Sequence, residues 1–283
     1  VHQMATTAFQ KPYRQEFIEK PEQGVTLLRK TTTTEAVIKG QNAEFLVTDT
    51  NGEEAVTRGE NGLLPAKSDS FTAATCTLAE WHDLRRRTRF NIFAGQGAQR
   101  ALMQRNSLKV VNRKIDADIL AQLETGTQDT GAVQTMSLDL VTRAKAILGN
   151  NEIPIDGDVF GLLTPAALAY LEQTREFGSV EYTSNKPFDS ANSGVYQSFR
   201  WASVNWIVHP RLTGRGTSAE KCIVYHRSAI GHAMDMDTLQ AVVGYDEEQD
   251  YSFARTTGYF GSKLLQNVGV VIINHDGSAM AAE

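Results

Sequence analysis

Cysteine is nearly absent: Cys76 and Cys222 are the only two in 283 residues. They are far apart and have no ligand-spaced partners, so they build neither a zinc site nor a disulfide framework. Their apolar, strand-like surroundings read as buried thiols kept reduced in a cytosol. Long hydrophobic runs are missing too. No stretch approaches the ~20 apolar residues that cross a bilayer, and the opening VHQMATTAFQ lacks the apolar core of a signal peptide, so no membrane contact is expected. Positive charge is in deficit, with Lys+Arg 28 against Asp+Glu 33 and a net charge of -5. That argues against a dedicated nucleic-acid binder while leaving room for one basic face.

The motifs of catalysis are also missing. There is no P-loop and no G-x-S-x-G elbow. Gly95-Gln96-Gly97 and Gly214-Arg215-Gly216 are each half a glycine fingerprint and read as turns. The six histidines show no helical ligand spacing. Asp116-Ala117-Asp118 reads as the exposed side of a helix, where neighbours at i and i+2 diverge, and Asp235-Met236-Asp237 as a helix start, where acids suit the macrodipole. A metal-dependent enzyme using Asp235 and Asp237 is the catalytic alternative. The expectation is no enzyme, no cofactor and no metal.

What the chain does have is an ordinary globular composition, 41% hydrophobic and 22% charged, long enough for one large domain or two smaller ones. Residues 36 to 73 read as a two-stranded arm with almost nothing to bury. Asn51-Gly52 signals a hairpin, because both central residues of a type I′ turn take positive φ. Glu44-Phe45-Leu46-Val47-Thr48 precedes it and the weaker Ala55-Val56-Thr57 follows, with the return passing through Phe71 to Leu78. An isolated ribbon is marginal in water and exposes unpaired edges. The arm is therefore expected to lie on another molecule, with Phe45, Val47, Asn51 and Gly52 as candidate contacts. That points to an assembly subunit before an enzyme.

Residues 1 to 35 are polar and irregular, an arm expected to become ordered by lying on something. After the hairpin, Arg85, Arg86, Arg87 and Arg89 form the one strong basic cluster. They read either as a solvated or salt-bridged helix face, or as a contact to acidic neighbours or packaged phosphate. From Arg100 to Glu124, Leu108, Val111, Ile115, Ile119 and Leu123 recur every three or four residues, which predicts one long helix laid across a sheet. Ser137 caps a second helix, and Thr164-Pro165 opens a third over Ala166 to Phe177. Strands are predicted at Asp158 to Leu163, Tyr196 to Trp201, Asn205 to His209, Cys222 to His226 and Val268 to Asp276, with a helix over Met236 to Gly244.

This order, together with Ala79-Glu80-Trp81-His82-Asp83-Leu84, Val111-Asn112-Arg113-Lys114-Ile115-Asp116, Leu163-Thr164-Pro165-Ala166-Ala167-Leu168 and Gly269-Val270-Val271, resembles the major capsid proteins of tailed bacteriophages, in particular the podovirus-like group. The resemblance implies an α+β chain of the Hong Kong phage-type capsid fold: N-terminal arm 1–35, extended β-hairpin loop 36–75, peripheral domain with a spine helix 76–151 plus 250–283, and axial domain 152–249. It implies a virion protein that assembles with itself, in the host cytoplasm, into hexamers and pentamers of an icosahedral shell around double-stranded DNA. DNA on the inner face would be held without sequence specificity. A separate scaffolding protein is implied unless processing has removed a built-in one, since residues 1–35 are too few for it, along with a portal protein and a decoration protein. An encapsulin-like compartment shell shares the same fold and is the alternative. Within the resemblance, Phe45, Val47, Asn51, Gly52, Arg85, Arg86, Arg87 and Arg89 are the candidate inter-subunit contacts.

Overall fold

In the computed structural model the structure describes residues 23–35, 40–50, 52–58, 60, 62, 64, 66–94, 98–178 and 198–280. Asn51 and Gly59 of the arm, Gly95 to Gly97, Tyr196 and Gln197, and the first 22 residues lie outside them. The elements are β1 (Thr33–Glu35), β2 (Asn42–Asp49), β3 (Ser70–Thr77), β4 (Ala79–Thr88), α1 (Arg89–Ala94), α2 (Gln99–Leu123), α3 (Leu138–Asn150), β5 (Val159–Leu163), α4 (Pro165–Glu172), α5 (Arg175–Gly178), β6 (Ser198–Trp201), β7 (Val204–Val208), β8 (Glu220–His226), β9 (Ile230–Asp246), β10 (Tyr251–Leu264) and β11 (Val270–His275).

The apolar, β-branched runs build a five-stranded sheet in the order β11-β8-β5-β7-β6. Both faces are covered, which is why these strands read as continuous hydrophobic runs rather than alternating ones. Cys222 and Val224 of β8, with Val271 and Ile273 of β11, pack under α3 and α4 through Leu140, Val141, Ala144, Leu148, Leu168 and Leu171. Ile223, Tyr225 and Val270 face the other way, toward Val111, Ile115, Ile119 and Leu123 of α2. Local chemistry sets the helix starts. The Ser137 hydroxyl accepts from Leu140 N at 3.5 Å, and the Thr164 hydroxyl accepts from Ala167 N at 3.1 Å with Pro165 in the first turn. The third helix is shorter than expected and breaks into α4 and α5. On α2 the inward stripe is extended by Met103 and Ser107, while Leu108 is partly exposed.

A second sheet, in the order β1-β9-β10-β4, is covered along one face by α2, while β2 and β3 cover only the end of the other face around Gly231, Ala233 and Gly261. Ser252, Ala254, Thr256 and Phe260 of β10 are buried against the helix, and Tyr251, Phe253, Arg255, Thr257 and Tyr259 point the other way. Two expectations are overturned here. Residues 80 to 89 are a strand followed by the start of α1, not a helix. Met236 to Gly244 lies in β9, not a helix, because β9 pairs with β10 from Ile230 to Asp246 across one irregularity opposite Thr257 and Tyr259. Asp235 and Asp237 are therefore mid-strand, which removes the helix-start argument for them. The pairing also cuts across the expected division at residues 151 and 249. β9 joins β10 and β4, while β11 joins the strands of 152–249.

Acid should weaken this fold. His232 is fully buried with Nδ1 3.0 Å from Ser262 Oγ, and its Nε2 has no partner among the described residues. Burial pushes its pKa down to about 4, helped by Arg29 and opposed by Asp116. Burial lowers His275 as well, against the opposing pull of Gln134 O and the Glu220 and Asp276 carboxylates. The unfolded chain takes up these protons near pH 6.5 and the folded chain does not, so stability falls as pH drops below 6.5. The slope is at most about 1.4 kcal/mol per pH unit for each histidine. Melting temperature should drop between pH 7.5 and 5, with a shallower drop in His232→Gln. A melting temperature that is flat over this range would contradict the assignment.

Candidate assembly surfaces

The arm is the third sheet, a ribbon of β2 and β3 paired from Asn42↔Thr77 to Asp49↔Ser70. The return does pass through Phe71 to Leu78, as β3, and Ala55-Val56-Thr57 lies before it in the connection. The described residues between 50 and 69 lie in the connection, where Glu53 N donates to Thr50 O at 3.2 Å and Gly52 has φ 65°; Asn51, named as a contact, lies outside the described residues. Period-two alternation sorts the ribbon's residues onto two faces. Ala43, Phe45 and Cys76 point inward and form a small core with Leu78 and Ala233. Phe45 is thus spent within its own chain, its ring packed over Gly231, and Val47 is half-buried on the same face. The outward face carries what sequence reasoning missed: Leu46 is 73% and Phe71 70% exposed, with Val56 and Leu64 also exposed on the connection. Alternation from the buried Phe45 was the signal for Leu46.

The root of the arm is tight. Leu78 N donates to Gln41 O at 2.8 Å, closing the ribbon. Any Cβ on Gly261 of β10 would lie 2.5 Å from Thr77 O and 3.1 Å from Cys76 Sγ. Cys76 is buried and its thiol is pushed up to about 11, mainly by burial and then by Asp118, so it has no accessible thiolate.

The four arginines are one cluster in sequence and three environments in space. Arg85 and Arg87 point from β4 toward α2, where Arg85 Nε donates to Asp83 at 2.9 Å and Arg87 donates to Gln99 Oε1. Arg86 points to the opposite, open face, its guanidinium 4.8 Å from the centre of the Tyr251 ring. Arg89 starts α1, its amide donating to Asp250 O at 3.3 Å. On the open face a groove of about 570 Å³ runs between Glu80, His82, Leu84, Val242, Arg255 and Tyr259.

Asp116 is the largest correction. It is 1% exposed and accepts from Gln23 Nε2 at 2.6 Å, Leu27 N at 3.1 Å and Leu28 N at 3.3 Å, with His209 Nε2 at 3.5 Å. Residues 23–35 do lie on something, and it is their own chain: Asn112 Nδ2 donates to Gly24 O at 2.8 Å, and Thr31 Oγ1 meets Tyr225 OH at 2.5 Å. Glu220 plays the matching role at the far end of the five-stranded sheet, accepting from Thr164 at 2.5 Å and Gly216 N at 2.6 Å. Both buried carboxylates join segments distant in sequence. Among the described residues, no group of three or more His, Cys, Asp and Glu is placed to hold a metal ion.

Known proteins share this arrangement. A family model described as phage capsid protein matches residues 5–277. No curated protein sequence matches the chain. Among solved structures, one titled Mycobacterium phage Che8 superposes with a TM-score of 0.73 at 14% identity over 95% of this chain and 98% of that one. The capsid of Ralstonia phage GP4 gives 0.73 at 9% identity over 100% and 98%. The capsid of cyanophage P-SCSP1u gives 0.68 at 12% identity over 95% and 93%. At these identities the fold is what is shared.

Proposed function

The chain belongs to the phage capsid protein family, with the Hong Kong phage-type architecture of tailed-phage head subunits, and from that premise we propose how its surfaces build the shell. The subunit is a structural protein of the virion. It joins identical copies into hexamers and pentamers by heterologous contacts that symmetry closes around double-stranded DNA. Assembly takes place in the host cytoplasm with a scaffolding function, a portal protein and a decoration protein as partners. The peripheral part is β4, α1, α2, β9 and β10, and the axial part is β5 to β8 with β11 and α3 to α5.

One observation carries the mechanism: an arm of β2 and β3 whose outward side chains, Leu46 and Phe71, have no core of their own. Exposed apolar area concentrated on one projecting ribbon marks a contact surface. The neighbour supplies the missing core. Arg86, alone of the four arginines on the open sheet face, makes a charge contact between subunits.

Leu46→Asn with Phe71→Asn should leave the melting temperature nearly unchanged, since substitutions at exposed positions usually cost within about 0.5 kcal/mol. The same variant should reduce particle yield by tenfold or more in sedimentation and electron microscopy. Arg86→Glu should reduce yield less. Normal particles from the double variant would remove the arm from the mechanism.

A further inference from the structure

Residues 23–35 form a strap against α2 that leads into the arm: β1 ends at Glu35 and β2 begins at Asn42. The same stretch of β9 serves both. Gly231, His232 and Ala233 pair with Thr33, Thr34 and Glu35, while the Phe45 ring covers Gly231 and Ala233 belongs to the arm's small core. The strap is held mainly by polar bonds. Of residues 23–34, Leu28 is the one apolar side chain fully buried. The other holds include the Asp116 carboxylate, Asn112, Tyr225 and Arg227, whose guanidinium donates to Lys30 O at 2.8 Å. Segments with few buried apolar contacts open at a fraction of the global unfolding free energy.

His232 lies at this junction. Its Nδ1 is 3.0 Å from Ser262 Oγ, and Ser262 hydrogen-bonds on to the Asp118 carboxylate through both side chain and backbone. A carboxylate only accepts, so the hydroxyl donates to Asp118 and its oxygen accepts from the imidazole. Nδ1 therefore carries the ring proton. Nε2 is a bare lone pair, buried and without a partner among the described residues. A second proton would land on Nε2 with no acceptor to receive it, and burying an unpaired charge is costly. Arg29 from the strap also opposes that proton, and Asp116 from α2 favours it without outweighing burial. Asp118, reached through Ser262, has Lys114 acting on it, and His209 stands beside Asp116 with Nε2 at 3.5 Å. Lys263 of β10 acts on Cys76 at the root of the arm.

We propose that the strap is an acid-released latch with His232 as its trigger, and that its release frees the base of the arm and so halts assembly. Water reaches Nε2 when the strap lifts, the imidazole takes a proton there, and the charged ring does not fit back into its site. Burial holds the closed imidazole's pKa down to about 4. The open one has its ordinary value near 6.5. Opening is therefore independent of pH above about 6.5 and rises up to about tenfold per pH unit from there to about 4. The device keeps the arm fixed at neutral pH and disengages it in acid. The assembly half of the inference rests on the capsid reading, and the release half does not.

Hydrogen exchange of the purified subunit reads the release, corrected at each pH for the rate of the unfolded chain. The amides of Leu27 and Leu28 should exchange roughly 30–100-fold faster at pH 4.5 than at pH 6.5, while those of Cys222 and Val224 in β8 stay protected. His232→Gln can still bond Ser262 but takes no proton, and should flatten the dependence at Leu27 and Leu28. A dependence that survives in His232→Gln gives the trigger to Asp116 and overturns the proposal. Equal acceleration in β8 makes the event global unfolding and overturns it too. Should His232→Gln not fold, nitrogen chemical shifts of the wild-type imidazole decide: a neutral ring protonated on Nδ1 at pH 5.5 supports the trigger, and an imidazolium or an Nε2–H ring overturns it. Electron microscopy reads assembly, where wild-type particle yield should fall several-fold from pH 7.5 to 5 and that of His232→Gln should not. Release without loss of yield overturns the gating of assembly and leaves the capsid reading intact. No particles from the wild-type chain at pH 7.5 overturns the capsid reading, and the latch then stands or falls on the exchange data.

Discussion

Asp116→Ala should destabilise the subunit by about 3–5 kcal/mol, the range for removing one partner from a buried charged cluster. The carboxylate receives the backbone N–H groups of Leu27 and Leu28 and the Gln23 amide, and His209 stands beside it with no exposure to solvent. Alanine leaves those donors buried and unpaired, at roughly 1–3 kcal/mol each before relaxation. Relaxation takes one route: the strap lifts from α2 and its N–H groups reach water. The variant should therefore lose denaturant midpoint and also become sensitive to trypsin at Arg29 and Lys30. Asp116→Asn keeps one acceptor oxygen and should fall between alanine and wild type. A stable alanine variant with a protease-resistant strap would show that Leu28, fully buried in the core under α2, holds the strap without the carboxylate.

Asp116 also shows what a sequence conceals. Its partners at Leu27 and Leu28 lie 89 and 88 residues upstream, so no local pattern announces that an aspartate on the polar side of a helix is a buried anchor. The legible features were those fixed locally. The α2 stripe, the Ser137 and Thr164 caps and the β-branched run of β11 each declare themselves within a few residues. β9 failed for the opposite reason. Its identity comes from a register with β10, Thr256↔Ala241 and Tyr259↔Asp235 among the pairs, while its own Met236, Leu239 and Val242 mimic helical spacing. The arginine cluster was seen but its geometry was not. Strand alternation sends Arg86 outward and Arg85 and Arg87 inward, a split that only the strand assignment reveals. The ribbon was legible but its exposed side was not: Leu46 and Phe71 are the exposed apolar side chains, whereas Phe45 and Val47, named as candidate contacts, lie on the inward side. In a ribbon, a shift of one residue exchanges the two faces.

Gly261→Ala is the substitution in which a modest cost to the fold should have the greatest effect on assembly. The new methyl would meet a backbone atom, Thr77 O at 2.5 Å, and the buried Cys76 sulfur at 3.1 Å. No rotamer can relieve a clash with backbone, so β3 must move away from β10 at the root of the arm. Overpacking of this kind costs about 1–3 kcal/mol, which leaves most domains folded. The arm converts the small shift into a large one. Each strand of the ribbon has eight residues, a lever of about 26 Å at ~3.3 Å per residue, so a tilt of about 10° at the root carries the tip roughly 5 Å. Leu46 and Phe71 stand four and six residues from the root, so the same tilt moves them roughly 2 and 3.5 Å, a large part of the about 4.5 Å within which side chains pack, and their fit to the neighbour would be lost. Gly261→Ala should retain its far-ultraviolet circular dichroism and unfold cooperatively, yet give few closed shells and a larger share of open or irregular ones in micrographs. Gly149→Ala, with no heavy atom within 4 Å of the added methyl, is the matched control and should assemble normally. Regular shells from folded Gly261→Ala would show that the arm's direction is set by the neighbour it touches and not by its root.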